Sequence, residues 1–197
     1  TATAKAGKIS LWYPKWVPGS HGPGGPIANI AGLQVHDVDG ERLNWRRMPG
    51  EVYCLEVETP RGTKEVHVSL RYVVNQPTTT SFGHDCFFAG TMGVVNPSCL
   101  LLYPDGVDID EQQIGVSVSL PVDWQVASAL ATSGNDGNSE NERSFQPVSL
   151  RTLVDSPMML GKYYRSFDLV ADTSLSPPHT LHVFADNESA ENISDEV

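Results

Sequence analysis

Period-two alternation of apolar and polar residues recurs along the chain and confines it to sheets. Residues 31–38, 52–58, 65–74, 114–120, 164–171 and 180–185 alternate in this way and are expected as half-buried strands. Val66, Val68, Leu70 and Tyr72 fall on one face of their strand, with His67, Ser69 and Arg71 on the other. The dipeptides Asp39-Gly40, Pro49-Gly50, Arg61-Gly62 and Asp105-Gly106 supply turn chemistry between runs. Residues 52–74, interrupted at 60–63, are expected as a hairpin. Helical evidence is confined to residues 149–154, one turn with Ser149 as cap and Pro157 as stop. Residues 133–144 are polar and aperiodic, expected as a loop. The expected fold is all-β: an antiparallel β-sandwich or curved open sheet with one or two short helical turns.

Residues 11–30 break this pattern. An apolar run at 9–13 meets Pro14 and Pro18, which cannot donate to a central ladder. From Pro18 to Pro26, seven of nine residues are Pro or Gly, so the segment is a shaped, exposed loop. Trp12 and Trp16 flank its entrance, and a well-packed base is expected there.

The 197 residues suffice for one sizeable core, with one domain as the default. A net charge of -11, with no basic cluster beyond Arg46-Arg47, argues against a nucleic-acid partner. Three cysteines, Cys54, Cys86 and Cys99, allow at most one internal disulfide, with Cys86 and Cys99 the candidate pair. The longest apolar run, 99–103, is far short of a membrane span, and no secretory signal opens the chain. A start at Thr1 is expected of a processed chain or a fragment. Residues 187–197 are acidic, lose the alternation and read as a linker.

Most catalytic constellations are missing. The segment His21-Gly22-Pro23-Gly24-Gly25 is similar to an oxyanion loop, which requires a Gly-x-Ser-x-Gly elbow between strand and helix. The nearest match, residues 115–119 around Ser117, lacks the last glycine and lies inside an alternating strand. No βαβ unit surrounds the glycines, as a dinucleotide fingerprint would need. Among six histidines there is no His-Glu-x-x-His; His179 and His182 fall on opposite strand faces, and His84-Asp85-Cys86 are too close in sequence to converge on one metal. His36 and His67 take the polar phase of their strands. Phe87 and Phe88 lead into Ala89-Gly90-Thr91-Met92-Gly93, readable as a strand end packing two rings or as a rim loop facing a ligand or a neighbouring domain.

Taken in order, several motifs resemble the N-terminal domain of the glycyl aminopeptidase family of PDZ-containing gluzincin zinc metallopeptidases. They are Pro14-x-Trp16-Val17-Pro18-Gly19-Ser20 with Ala28-Asn29-Ile30, then Leu43-x-Trp45-Arg46, then Phe87-Phe88-Ala89-Gly90-Thr91. Leu120-Pro121-x-x-Trp124-Gln125-Val126-Ala127, Leu153-Val154-Asp155-Ser156-Pro157 and His182-Val183 complete the series. The resemblance covers residues 9–186.

It implies a non-catalytic β-rich domain over 1–186 and a linker over 187–197 towards a catalytic domain outside this chain. The zinc ligands and general base belong to that catalytic domain, so the resemblance carries no catalytic residue, metal ligand or cofactor into this chain, which is expected to be inactive alone. The implied partners are the catalytic domain and, through the parent, a peptide substrate; a homodimer through an exposed apolar patch at Val94, Val95 or the 16–30 loop is also expected. Neither nucleic acid nor a membrane span is implied, and a periplasmic or secreted location is favoured over a cytoplasmic one. Trp16, Ser20, His21, Asn29, His84, Phe88, Gly90 and Thr91 are the candidate cleft or inter-domain contacts. Two other classes stand beside this reading: a free-standing β-sandwich binding module, and a serine hydrolase using Ser117 and His21.

Overall fold

The computed structural model describes residues 7–17, 19–74, 76, 85–134, 141–169, 174 and 177–188. In chain order the first strands are β1 (Lys8–Trp12), β2 (Ile30–His36), β3 (Trp45–Met48), β4 (Glu51–Glu58) and β5 (His67–Tyr72). They are followed by β6 (Phe87–Ala89), β7 (Met92–Val95), β8 (Tyr103–Pro104), β9 (Gln113–Ser119) and β10 (Gln125–Ser128). The last are β11 (Glu142–Ser149), β12 (Met158–Gly161), β13 (Tyr163–Asp168) and β14 (Thr180–Ala185). Helical structure among the described residues is one short helix, α1 (Leu150–Val154), with 3-10 turns at Ile27–Asn29 and Pro97–Cys99. The fold is all-β and antiparallel. All six alternating segments contain a strand, and Ser149 caps α1 by accepting from the Thr152 N–H at 3.1 Å.

The chain divides into two compact units. The first comprises residues 1–74, 96–113 and 148–155. It contains a four-stranded sheet in the order β3-β4-β1-β8 and a two-stranded β2-β5 pair. Ile9 and Leu11 of β1 meet Leu55 and Val57 of β4 on the inward face, and Val35 of β2 and Leu43 close the core. Full burial of such side chains contributes about 1.5–3 kcal/mol each.

The expected hairpin of residues 52–74 does not form. A turn does occur, with the Thr63 N–H donating to the Pro60 carbonyl. However, β1 and β3 take both edges of β4, which leaves no edge for β5, so β5 pairs with β2 from Ile30↔Tyr72 to His36↔His67. The hairpin partner of β4 is β3, across the turn at Pro49-Gly50.

The second unit comprises residues 75–95, 114–147 and 156–197. Its four-stranded sheet runs β10-β12-β7-β6, alongside the β11-β9 and β13-β14 pairs. In β9 the side chains alternate as the sequence requires, Ile114, Val116 and Val118 half-buried and Ser117 exposed. The polar segment 133–144 is partly strand, because β11 begins at Glu142; residues 135–140 lie outside the described residues. Cys54, Cys86 and Cys99 are all buried thiols, so the candidate Cys86–Cys99 disulfide is not formed.

Candidate functional site

In the first unit the loop after β1 is tied down along its length. Tyr13, with 0% exposure, donates its hydroxyl to the Cys99 carbonyl at 2.8 Å and its N–H to the Tyr53 carbonyl at 2.9 Å. Its ring stacks on Tyr53, with centroids 6.5 Å apart. The Tyr53 hydroxyl reaches forward to the Pro23 carbonyl at 3.3 Å. Lys15 pairs with Glu51 at 2.8 Å, and its ammonium sits 5.6 Å from the centre of the Tyr53 ring. The hydrogen bond from Lys15 and the N–H of Tyr53 hold the Glu51 carboxyl below its ordinary range.

Gly25 closes the loop. Its N–H donates to the Lys15 carbonyl at 3.0 Å, and a Cβ at this position would lie 1.9 Å from the Pro14 carbonyl oxygen. The glycine is a requirement of close backbone approach. Asn29 fastens the far end, donating its side-chain amide to the Val73 carbonyl at 2.8 Å while its own carbonyl accepts from the Val73 N–H.

On this frame the candidate residues differ. Trp16 is 62% exposed and His21 is exposed, whereas Ser20 is half-buried with its N–H donating to the Val17 carbonyl. The well-packed base expected at the loop entrance is present, but Trp16 is not part of it. Trp12 does anchor, through its indole N–H to Asp105 at 3.0 Å, but Tyr13, Pro14 and Val17 supply the buried base.

The other candidates lie in the second unit, on the β6–β7 hairpin. Phe88 stacks against Trp124 at 6.4 Å between centroids and covers Gly93, where a Cβ would come within 2.5 Å of its ring. Gly90 turns the chain at φ +58°. Thr91 donates its hydroxyl to the Asp186 carbonyl at 2.7 Å. Val94 and Val95 are half-buried. His84 and Pro18 lie outside the described residues. The structure thus brings Trp16, Ser20, His21 and Asn29 into one loop and Phe88, Gly90 and Thr91 into one hairpin.

Ser117 shares a hydrogen bond with the Ser144 hydroxyl at 3.0 Å, a partner that cannot act as a general base. Among the described residues, no cluster of three or more His, Cys, Asp or Glu side chains is placed to hold a metal, and no helix is long and apolar enough to cross a membrane. An open groove of about 370 Å³ lies elsewhere in the first unit, lined by Lys8, Asn44, Trp45, Arg46, Glu56 and Glu58. Within it Arg46 and Glu56 are already paired at 2.7 Å.

The first unit is a β unit carrying a braced loop rich in proline and glycine, and comparison with known families decides which family the ordered motifs belong to. The family model described as the Peptidase M61 N-terminal domain matches residues 1–162. The chain belongs to this family. Among solved structures, the M61 domain is similar to an aminopeptidase N family protein from Idiomarina loihiensis, with TM-score 0.67 and 18% identity over 92% of this chain and 28% of that one. That likeness is one of fold. An M1 zinc metallopeptidase from Deinococcus radiodurans is a more distant neighbour, with TM-score 0.43 and 12% identity over 89% of this chain and 38% of that one. The M61 domain spans less than a third of the first protein and less than half of the second. No curated protein matches it.

Sequence reasoning missed the parts that make the M61 domain's loop rigid: Tyr53, Glu51 and the close approach of Gly25. Tyr53 and Glu51 lie in a strand about thirty positions from the loop they brace, and no local pattern announces such a contact.

Proposed function

We propose that this domain packs on a zinc-dependent catalytic domain that follows it in the parent protein, and that its clamped loop and β6–β7 hairpin help wall the cleft in which a peptide substrate lies. Residues 187–197 form the linker, most of them beyond the described residues. The reading is carried by one observation: a loop braced by Tyr13, Tyr53, the Lys15–Glu51 pair and Gly25 nevertheless presents Trp16 at 62% exposure. A tryptophan presented by a braced backbone leaves little backbone entropy to lose at an interface, which suits a contact surface.

The zinc and the general base are assigned to the catalytic domain, and this chain contributes shape and apolar contact. In the parent peptidase, Trp16→Ala and His21→Ala are expected to raise KM or lower kcat/KM about three- to tenfold with little change in melting temperature. If both variants leave the kinetic constants unaltered, the cleft role fails. A His-Glu-x-x-His motif within the next few hundred residues of the reading frame is expected; a stop codon in its place points to the free-standing module.

A further inference from the structure

We infer that Thr91 is a positioning residue, bolting the end of the last strand to the β6–β7 turn and so setting the direction in which the chain leaves the second unit. The inference rests on the reading that a catalytic domain follows this one. The last rung of the β13–β14 ladder is Tyr163↔Ala185, so Asp186 is the first residue past the ladder, where a strand end ordinarily frays. The Thr91 hydroxyl holds it there, donating to the Asp186 carbonyl at 2.7 Å across 95 positions of sequence.

A second bond fixes Thr91 itself. Its carbonyl accepts from the Lys162 N–H at 2.9 Å, which joins the turn to the start of β13. Gly161 completes the junction. A Cβ there would lie 2.9 Å from the Phe184 ring and 3.2 Å from the Thr91 carbonyl oxygen, so the three segments meet closely around this glycine. Gly90, at φ +58°, lets the hairpin turn tightly enough to bring Thr91 to this point. Thr91 touches no substrate in this role; it acts through Asp186 on whatever the chain carries beyond it.

Two variants separate the hydroxyl from the bulk: Thr91→Val keeps the shape and removes the donor, and Thr91→Ser keeps the donor. In this chain, amide hydrogen exchange over residues 184–188 is expected to quicken about fivefold in Thr91→Val, the scale of one hydrogen bond, and to stay near wild type in Thr91→Ser. In the longer chain that carries the catalytic domain, Thr91→Val is expected to lower kcat/KM about threefold, mainly through KM, with melting temperature unchanged and Thr91→Ser restoring the value. Unchanged exchange in Thr91→Val overturns the latch. Faster exchange with unchanged kinetics overturns the positioning role. A wild-type longer chain that hydrolyses no peptide refutes the functional reading instead, and the exchange measurement still decides the latch.

Discussion

Lys15 and Glu51 are the clearest case in which single side chains give the loop a dependence on pH. The Glu51 carboxyl is held below its ordinary range first by the hydrogen bond from Lys15 and then by the Tyr53 N–H. A carboxyl lowered in the folded state adds stability above the unfolded value, about 4.3, and that contribution is lost as pH falls through the folded value. Glu51→Gln should therefore melt below wild type at pH 7, and the gap should close towards pH 3. Calorimetry at the two pH values checks this, and a constant gap would mean the pair adds no charge-dependent stability. Asp110 is lowered for the same kind of reason, by the bidentate guanidinium of Arg151.

At the scale of elements, the loop after β1 shows what local reading can reach. Seven Pro and Gly residues between positions 18 and 26 rule out helix and strand, and Pro chemistry keeps the segment off a ladder. Which glycine matters depends on what lies opposite. Gly22 has open space around its missing Cβ, whereas a Cβ at Gly25 would lie 1.9 Å from the Pro14 carbonyl oxygen. Gly25→Ala should thus destabilise the first unit by about 1–3 kcal/mol, the usual cost of forced overpacking, while Gly22→Ala costs far less. Chemical denaturation of the two variants tests the contrast, and equal losses would show that the loop yields at Pro14. Strands followed the same rule. The capped turn at Ser149 and the six alternating segments were legible, because each depends on side-chain direction within a few residues. Short strands such as β3, β8 and β10 were not, since two to four residues cannot display a period.

For the molecule as a whole, the net charge of -11 and the exposed apolar side chains act in opposition. Trp16 and Val52, at 62% and 54% exposure, favour association, and like-charge repulsion opposes it. Any self-association is expected to strengthen with salt, because screening shortens the repulsion to about 8 Å at physiological ionic strength. Sedimentation at low and high salt measures this; a strict monomer under both conditions removes the dimer from consideration. The sequence by itself determined an all-β chain, its main strands, its helical turn and its M61 resemblance, since periodicity, turn chemistry and motif order are written locally. Only the tertiary structure decided that β5 pairs with β2, that Trp16 stands out while Tyr13 lies buried, and that Thr91 reaches Asp186. Each of these turns on which strand edges remain free and which backbones come within contact distance once apolar faces are buried, and both are set by competition among segments far apart in the chain.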